Sequence, residues 1–317
     1  MPCSGSAGYQ GYLLANGFIL PYLSADLSQV TKLNMSESMH GGGAGNTNPV
    51  FRSKTNFAIG QQTVAGTVAV EVFGGSGNYA SAFTQMLNRA MPSQTDDTNV
   101  CTGFNTANPL IFSPGGGSEI VVPSAGAANG KCLVNTLEIR GNPGGNVQCS
   151  FSIVGAGADY NNTNAHVPTA SQLAFEPIQS TDDNNPVPYY ASNFNITGSG
   201  ESSLVDRITD WNVTINNNVI PIYTFDGKNY AQDIILGMLQ VTGSFSYYSS
   251  TGTFVQNLTH GAVGSISFGG VIINMPYIAF TSMNTPPSPG PNAPTIRTIQ
   301  FECIAAAANL PAIYHTP

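Results

Sequence analysis

The sequence predicts a mainly β protein made of two tandem β units, each with a short flanking α-helix. Three observations predict this class. Apolar residues alternate with a period of two in several short segments, Gly- and Asn-rich turns separate these segments, and their order in the first half recurs in the second half. Many short strands beside few short helices are typical of mainly β domains.

Residues 63–73 form the clearest predicted strand. Val64 and Val68 fall on one face together with other apolar residues, and small or polar residues fall on the opposite face. Earlier in the chain, Asn16-Gly17 lies between two apolar runs. Both residues tolerate the positive φ of a type I′ turn, so this dipeptide predicts a tight hairpin.

Two more strand pairs and one helix follow. Gly-rich connections predict that 110–112 pairs with 120–122 and that 133–139 pairs with 147–154. Apolar residues recur at helical spacing over residues 79–90, which predicts an amphipathic helix. We expect this helix to lie across one face of a sheet and cover it.

The second half repeats this order. Residues 60–73 align with residues 237–250. Each copy continues with a predicted helix (80–90 and 253–260), a hairpin (110–122 and 265–275) and a final strand pair. Agreement in the order of elements, and not only in one motif, indicates a duplication. Chance similarity between two Gly- and Thr-rich segments is the alternative. The aligned pairs are Val64 with Val241, Gly66 with Gly243, Val68 with Phe245 and Val70 with Tyr247.

The repeat divides the chain into three parts. Residues 1–158 form the first β unit, with a long loop at 24–56 and the helix at about 79–90, and residues 201–317 form the second unit. Residues 159–200 are expected to form a linker or arm, because a connection of this length is uncommon inside one compact domain.

The composition excludes several classes of protein. Only 8% of the 317 residues are charged, against about 25% in an ordinary soluble domain. With 41% hydrophobic residues the chain is not predicted to be disordered, and no apolar run approaches the roughly 20 residues that span a membrane. The 9 Lys and Arg residues are dispersed and the net charge is −8, which argues against tight binding to nucleic acid.

The sequence contains no motif for catalysis or for a cofactor. Neither a phosphate-binding Gly-x-x-x-x-Gly-Lys loop nor a Gly-x-Ser-x-Gly nucleophile motif occurs, and the four histidines are far apart. The 5 cysteines have no metal-ligand spacing and are expected to be free thiols. We therefore expect a protein that is not an enzyme and that holds no metal or cofactor.

Two motifs in the second half resemble a known family. RITDWNVTINNNVIPIY at residues 207–223 predicts a strand pair, and GMLQVTGSF at residues 237–245 follows it. This order is similar to that of the tail tube proteins of long-tailed bacteriophages. The resemblance covers residues 204–303 and extends more faintly over the first half.

The resemblance implies that each unit is a tail-tube-like β-sandwich or barrel with a flanking helix. It also implies a structural protein whose rings stack into the tube through which DNA leaves the capsid. Two fused tube domains would let three chains form a pseudo-hexameric ring, joined at open sheet edges without Lys or Pro. The candidate ring-sheet edge strands contain Val64, Gly66, Val68, Val70, Val241, Gly243, Phe245 and Tyr247, and the candidate inter-ring loop contains Gly41, Gly42, Gly43, Gly45 and Asn46.

Partners and location follow from the same resemblance. The implied partners are further copies of the chain, in trimeric rings stacked into a tube, and the tape measure, terminator and baseplate proteins of the tail. DNA would pass through without specific binding, and the chain would join the virion tail after assembly in the host cytoplasm, without membrane insertion. Two alternatives stay open: a baseplate hub or distal tail protein of the same fold, and a carbohydrate-binding β-sandwich surface protein.

Overall fold

The mainly β prediction is confirmed by a computed structural model. It describes residues 11–35, 57–74, 77–93, 100, 102–115, 118–125, 130–161, 166, 186–197, 208–224, 228–249, 262–283, 295–305 and 311–316. Within these ranges strands dominate, and the one α-helix is not long and apolar enough to span a membrane.

The first half of the chain contains ten of the strands and the helix. They are β1 (Tyr12–Ala15), β2 (Phe18–Leu20), β3 (Ser24–Met35), β4 (Phe57–Glu71), α1 (Asn78–Ala90), β5 (Phe104–Asn105), β6 (Leu110–Gly115), β7 (Ser118–Val122), β8 (Lys131–Gly141), β9 (Gln148–Gly155) and β10 (Asp159–Asn161).

The second half contains the remaining described strands. They are β11 (Asn193–Thr197), β12 (Ile208–Asn216), β13 (Ile220–Ile222), β14 (Asp233–Ile235), β15 (Gln240–Ser249), β16 (Ala262–Phe268), β17 (Val271–Met283), β18 (Thr295–Cys303) and β19 (Tyr314–Thr316). A short 3-10 turn, Tyr189–Ala191, precedes β11.

Two antiparallel sheets contain most of these strands. The larger, 12-stranded sheet follows the path β11-β16-β17-β18-β15-β12-β8-β9-β4-β3, with β19 beside β17 and β5 beside β8. The smaller, 5-stranded sheet has the order β10-β7-β6-β1-β2, and β13 pairs separately with β14. The larger sheet therefore runs without interruption from the second half of the chain into the first.

The two parts of the larger sheet have the same strand order. The path is β3-β4-β9-β8 in the first half and β12-β15-β18-β17 in the second. The registers agree as well, because Gly66 lies opposite Leu27 and Gly243 lies opposite Val213. Both glycines allow close approach of the neighbouring strand, since a Cβ at either position would overlap a backbone carbonyl oxygen of that strand.

A β-bulge also recurs at the same place. The register between β8 and β9 shifts between Val134 and Thr136, and the register between β17 and β18 shifts between Phe280 and Ser282. A bulge inserts one extra residue and bends its strand. The corresponding strands of the two halves are therefore bent at corresponding points.

The predicted hairpin and strand pairs are confirmed. Asn16 and Gly17 have φ angles of 52° and 80°, and they join β1 to β2. Residues 110–112 pair with residues 120–122 as β6 and β7, and β8 pairs with β9. Positive φ at both turn residues matches the twist of the flanking strands, which is why Asn-Gly was informative.

The helix α1 lies over the core face of the larger sheet and contacts both halves. Phe83 is fully buried, and its ring centroid is 6.3 Å from that of Phe151 in β9 and 6.4 Å from that of Phe268 in β16. Met86 and Leu87 are buried beside it in the main core. The expectation that the helix covers a sheet face is therefore confirmed, and the predicted second helix at 253–260 lies outside the described residues.

The segment predicted as a linker is partly ordered into strands. β10 and β11 lie within residues 159–200, and β11 pairs with β16. Val187 is tied to the first half by backbone hydrogen bonds, because its N–H donates to the oxygen of Val72 at 2.8 Å and its oxygen accepts from Val147 at 2.9 Å. The division into two domains joined by an arm stays a prediction.

Candidate assembly surfaces

Strands β8 and β12 connect the two parts of the larger sheet, and we call their contact the internal joint. It extends from the pair of Trp211 with Gly141 to the pair of Asn216 with Thr136. Side chains alternate between the two faces of the sheet, so every second residue of the joint faces the core. The core-facing residues are fully buried: Leu137, Ile139, Val213 and Ile215.

Trp211 closes one end of the internal joint. Its side chain is 3% exposed and stacks on Phe194 of β11, with ring centroids 6.1 Å apart and planes inclined by 10°. Gly141 leaves space for the indole, because a Cβ there would lie 2.6 Å from Nε1 and 2.7 Å from Cε2. Protein interiors are close-packed, so a side chain at 141 would displace the indole.

Asn217 closes the other end of the internal joint. Its buried side-chain amide donates to the oxygen of Ala90 and to the oxygen of Val134, both at 2.9 Å. Ala90 is the last residue of α1, where carbonyl groups lack partners within the helix. The turn after β12 is therefore fixed to the helix and to β8 at once.

The path of the larger sheet ends at β3, and we call the free side of this strand its outer edge. No strand lies beside this edge among the described residues. Its main contact is made by Tyr160 of β10, whose hydroxyl accepts a hydrogen bond of 3.2 Å from the backbone N–H of Gln29. Val30 beside it is 55% exposed. An unpaired edge with an exposed apolar side chain is a template for pairing with another chain.

A buried carboxylate lies on β7, the strand that pairs with β10. Glu119 of β7 is fully buried, accepts a hydrogen bond from the Tyr12 hydroxyl, and lies 3.0 Å from both the backbone nitrogen and Nδ1 of His166. Burial opposes ionisation of Glu119, but the hydrogen bonds from Tyr12 and His166 outweigh it and lower the pKa of this carboxyl. The charged carboxylate thus joins Tyr12 of β1 and His166 to β7.

The face of the larger sheet opposite the core is polar, and we call it the open face. It holds two shallow depressions of about 390 and 350 Å³, one in each half. Arg140 is directed along this face by Gln148, whose Oε1 accepts from Nη2 at 2.8 Å. The polar lining contains the charged side chains Glu138, Arg140 and Glu302. Its other members carry hydroxyl or amide groups: Ser24, Gln148 and Ser150 in the first half, and Asn212, Thr214, Thr242, Ser244, Thr281 and Gln300 in the second.

The described titratable side chains do not form a metal centre. Within the described ranges no group of three or more His, Cys, Asp and Glu side chains could hold a metal ion. Cys132, Cys149 and Cys303 are free and buried, and burial raises the pKa of each thiol. Buried thiols of raised pKa are poor nucleophiles, so these three cysteines serve packing.

The structure corrects the predicted edge strands. β4 lies between β3 and β9, and β15 lies between β12 and β18, so both strands are inside the sheet. The reason is that residues 24–35, expected in a long loop, form β3 and cover β4. The part that these residues play in contacts between chains stays a prediction. They are Val64, Gly66, Val68 and Val70 on β4, and Val241, Gly243, Phe245 and Tyr247 on β15.

The predicted inter-ring loop lies outside the described residues, including Gly41, Gly42, Gly43, Gly45 and Asn46. The connection at the corresponding place in the second half joins β12 to β15 and contains β13 and β14. It exposes apolar side chains, with Ile220 at 51%, Ile235 at 41% and Met238 at 82%.

The internal joint and the contact of Tyr160 with β3 were not found from the sequence. The alternation of Trp211, Val213 and Ile215 indicates a strand with one buried face, but it does not identify the strand beside it. The sequence alone does not show why residue 141 is a glycine, because the reason is its contact with Trp211, which is distant in sequence. Pairing between strands distant in sequence depends on the whole sheet.

A comparison with protein families agrees with this architecture. A family model described as "Phage tail tube protein" matches residues 49–305, which is most of the chain. A search of curated proteins finds no match. The chain belongs to the phage tail tube protein family, which implies a structural, non-enzymatic component of the virion tail that assembles with further copies of itself and with other tail proteins.

Proposed function

We propose that this phage tail tube protein forms rings of three chains, assembled in the host cytoplasm, and that the rings stack into the conduit for DNA ejection. One observation carries the proposal. A single antiparallel sheet passes through both halves with the same strand order and register, which supports the proposal that each chain supplies two corresponding units. Six such units, the number in a hexameric ring, then come from three chains.

Ring closure would also account for the outer edge of β3. An open edge exposes N–H and C=O groups that can pair with any other strand. A head-to-tail contact that closes after three steps covers every such edge in the ring, whereas one that does not close gives an open filament. The exposed Val30 supports a buried position for this edge in the assembly.

We propose that the open face lines the channel. Hydroxyl and amide side chains such as Thr242 and Gln300 form weak, reversible hydrogen bonds, and Arg140 is already held by Gln148. Tight binding of a DNA backbone requires several Lys or Arg side chains that neutralise phosphates. A face with few cations lets DNA slide through without being retained.

We further propose that the loop containing residues 41–46 contacts the next ring. Its counterpart in the second half exposes Ile220, Ile235 and Met238, and exposed apolar clusters mark contact sites between proteins. Deletion of residues 41–46 should weaken stacking or change the spacing between rings in electron micrographs. Tubes of unchanged spacing would contradict this role.

Electron microscopy of the purified protein, together with native mass spectrometry, tests the main proposal. We expect stacked rings and a released species of three chains. A stable monomer at high concentration would contradict self-assembly, and rings of six chains would contradict the stoichiometry. Single rings that never stack would favour a hub over a tube.

A further inference from the structure

We infer that β3 of one chain pairs with β17 of the next chain, in the register of the internal joint. The inference rests on the proposed function, because it specifies the contact that closes the ring. In the strand order that the two halves share, β3 corresponds to β12 and β17 corresponds to β8. β12 and β8 form the internal joint, so β3 and β17 are the strands left to form the same joint between chains.

The shared registers specify which residues meet. Val30 holds the place of Asn216, because the registers of β3 with β4 and of β12 with β15 agree. Ser282 holds the place of Thr136, since each directly follows the bulge of its strand. Asn216 lies opposite Thr136 in the internal joint. Val30 of one chain is therefore placed opposite Ser282 of the next.

Among the described residues, no other strand occupies the sides of β3 and β17 that would meet in this contact. β3 is the end of the sheet path, and pairing of β17 with β16 stops at Ile278. The edge of β17 beyond that residue is free within the described ranges, and Ser282 is exposed there. Val30 is exposed on the other side of the joint. A neighbouring chain would cover both side chains.

The backbone of β3 presents a donor to the neighbouring chain. The N–H of Gln29 points outward, where the hydroxyl of Tyr160 accepts it. A carbonyl of the next chain's β17 would replace that hydroxyl and complete the ladder. Because Gln29 is then in a hydrogen-bonded position, Val30 is in a non-hydrogen-bonded position, where opposite Cα atoms lie about 4.5 Å apart.

Disulfide trapping in assembled rings tests the register. A disulfide spans Cα separations of about 4.4–6.8 Å, so the Val30→Cys, Ser282→Cys chain should cross-link to its neighbours on oxidation. We expect covalent species of two and three chains on a non-reducing gel. The matched control is the Ser28→Cys, Ser282→Cys chain, whose diagonal separation of about 7–8 Å should reduce cross-linking about tenfold.

Each outcome decides the inference. Rings in which Val30→Cys and Ser282→Cys do not cross-link, or in which the Ser28 pair cross-links better, overturn the register and leave the ring proposal intact. Failure of the unsubstituted chain to form rings overturns both. Co-assembly of the Val30→Cys chain with the Ser282→Cys chain, each checked for folding by circular dichroism, should give cross-linked pairs only. The absence of these pairs in intact rings also overturns the register.

Discussion

Strands β12 and β3 hold corresponding places in the two halves, but among the described residues only β12 has another strand on its outer side. Its core-facing residues are Trp211, Val213 and Ile215, and β8 buries all three. The corresponding residues of β3 are Ala25, Leu27 and Gln29. Leu27 is buried and apolar like Val213, but Ala25 is much smaller than Trp211, and Gln29 is polar where Ile215 is apolar.

This difference separates a permanent contact from one that forms during assembly. Burial of apolar area stabilises by about 25 cal/mol per Å², so the large side chains of β12 hold the internal joint closed in every folded chain. A strand like β3 that carried the same side chains would aggregate before it found its partner. The outer edge of β3 instead exposes Val30, and the partner of its Gln29 N–H within the described part of the chain is the Tyr160 hydroxyl.

Substitution of Trp211→Ala should have the largest effect on this contrast, because it removes the side chain that closes the internal joint. Replacement of a buried Trp by Ala costs about 3–5 kcal/mol. We expect a loss of that size in the free energy of unfolding, measured by urea titration with circular dichroism. Trp211→Phe is the control and should lose much less, since a ring still stacks on Phe194. A loss below about 1 kcal/mol for Trp211→Ala would contradict its role.

Substitution of Glu119→Gln should weaken the hydrogen bonds that join Tyr12 and His166 to β7. Hydrogen bonds to a charged group contribute about 1.5–3 kcal/mol, and we expect a loss in that range at neutral pH. Because the pKa of Glu119 is lowered in the folded state, its contribution is present above the ordinary carboxyl pKa and is lost as the pH falls through the lower value. The difference between variant and unsubstituted chain should therefore disappear in acid.

Thermal unfolding at a series of pH values measures this dependence. Glu138→Gln on the open face is the matched control and should change stability by no more than about 0.5 kcal/mol, as surface substitutions usually do. An equal loss for Glu119→Gln at all pH values would show that the charge of Glu119 is not what strengthens its hydrogen bonds to Tyr12 and His166.

Substitution of Gly141→Ala changes the β8 residue that lies against Trp211 and should strain the internal joint. A Cβ at 141 would lie within 3 Å of the Trp211 indole, and overpacking of this kind costs about 1–3 kcal/mol. Gly145→Ala in the following turn is the control, because its Cβ would meet only the oxygen of Asn142 at 3.8 Å. Chemical denaturation of both variants makes the comparison. Equal stability of the two would mean that the indole can move without cost.

The smallest effect on stability is expected for Tyr160→Phe at the outer edge. Loss of one exposed hydrogen bond changes the free energy of unfolding by about 0.5–1.5 kcal/mol. Assembly should respond in the opposite direction, because the N–H of Gln29 is then free for a neighbouring chain. Light scattering after a rise in protein concentration should show faster growth than for the unsubstituted chain. Slower growth would mean that Tyr160 takes part in the contact between chains.

Local features of this fold could be predicted from the sequence. Asn16-Gly17 specifies a turn because only some residues accept positive φ, and the alternation in residues 63–73 specifies a strand with one buried face. The helix was predicted from its apolar spacing, and it begins one residue before the predicted start, at Asn78. The order of elements in the two halves was visible as well, since it needs only patterns along the chain.

The sequence by itself determined that this chain is mainly β, poor in charge and built from elements in a repeated order. Only the tertiary structure decided which strand is an edge: β4 and β15 are covered by β3 and β12, and the two halves share one sheet through Trp211 and Gly141. Local preferences act between neighbours in sequence, whereas strand pairing depends on residues far apart in the chain. The identity of an edge is therefore fixed only when the whole sheet has formed.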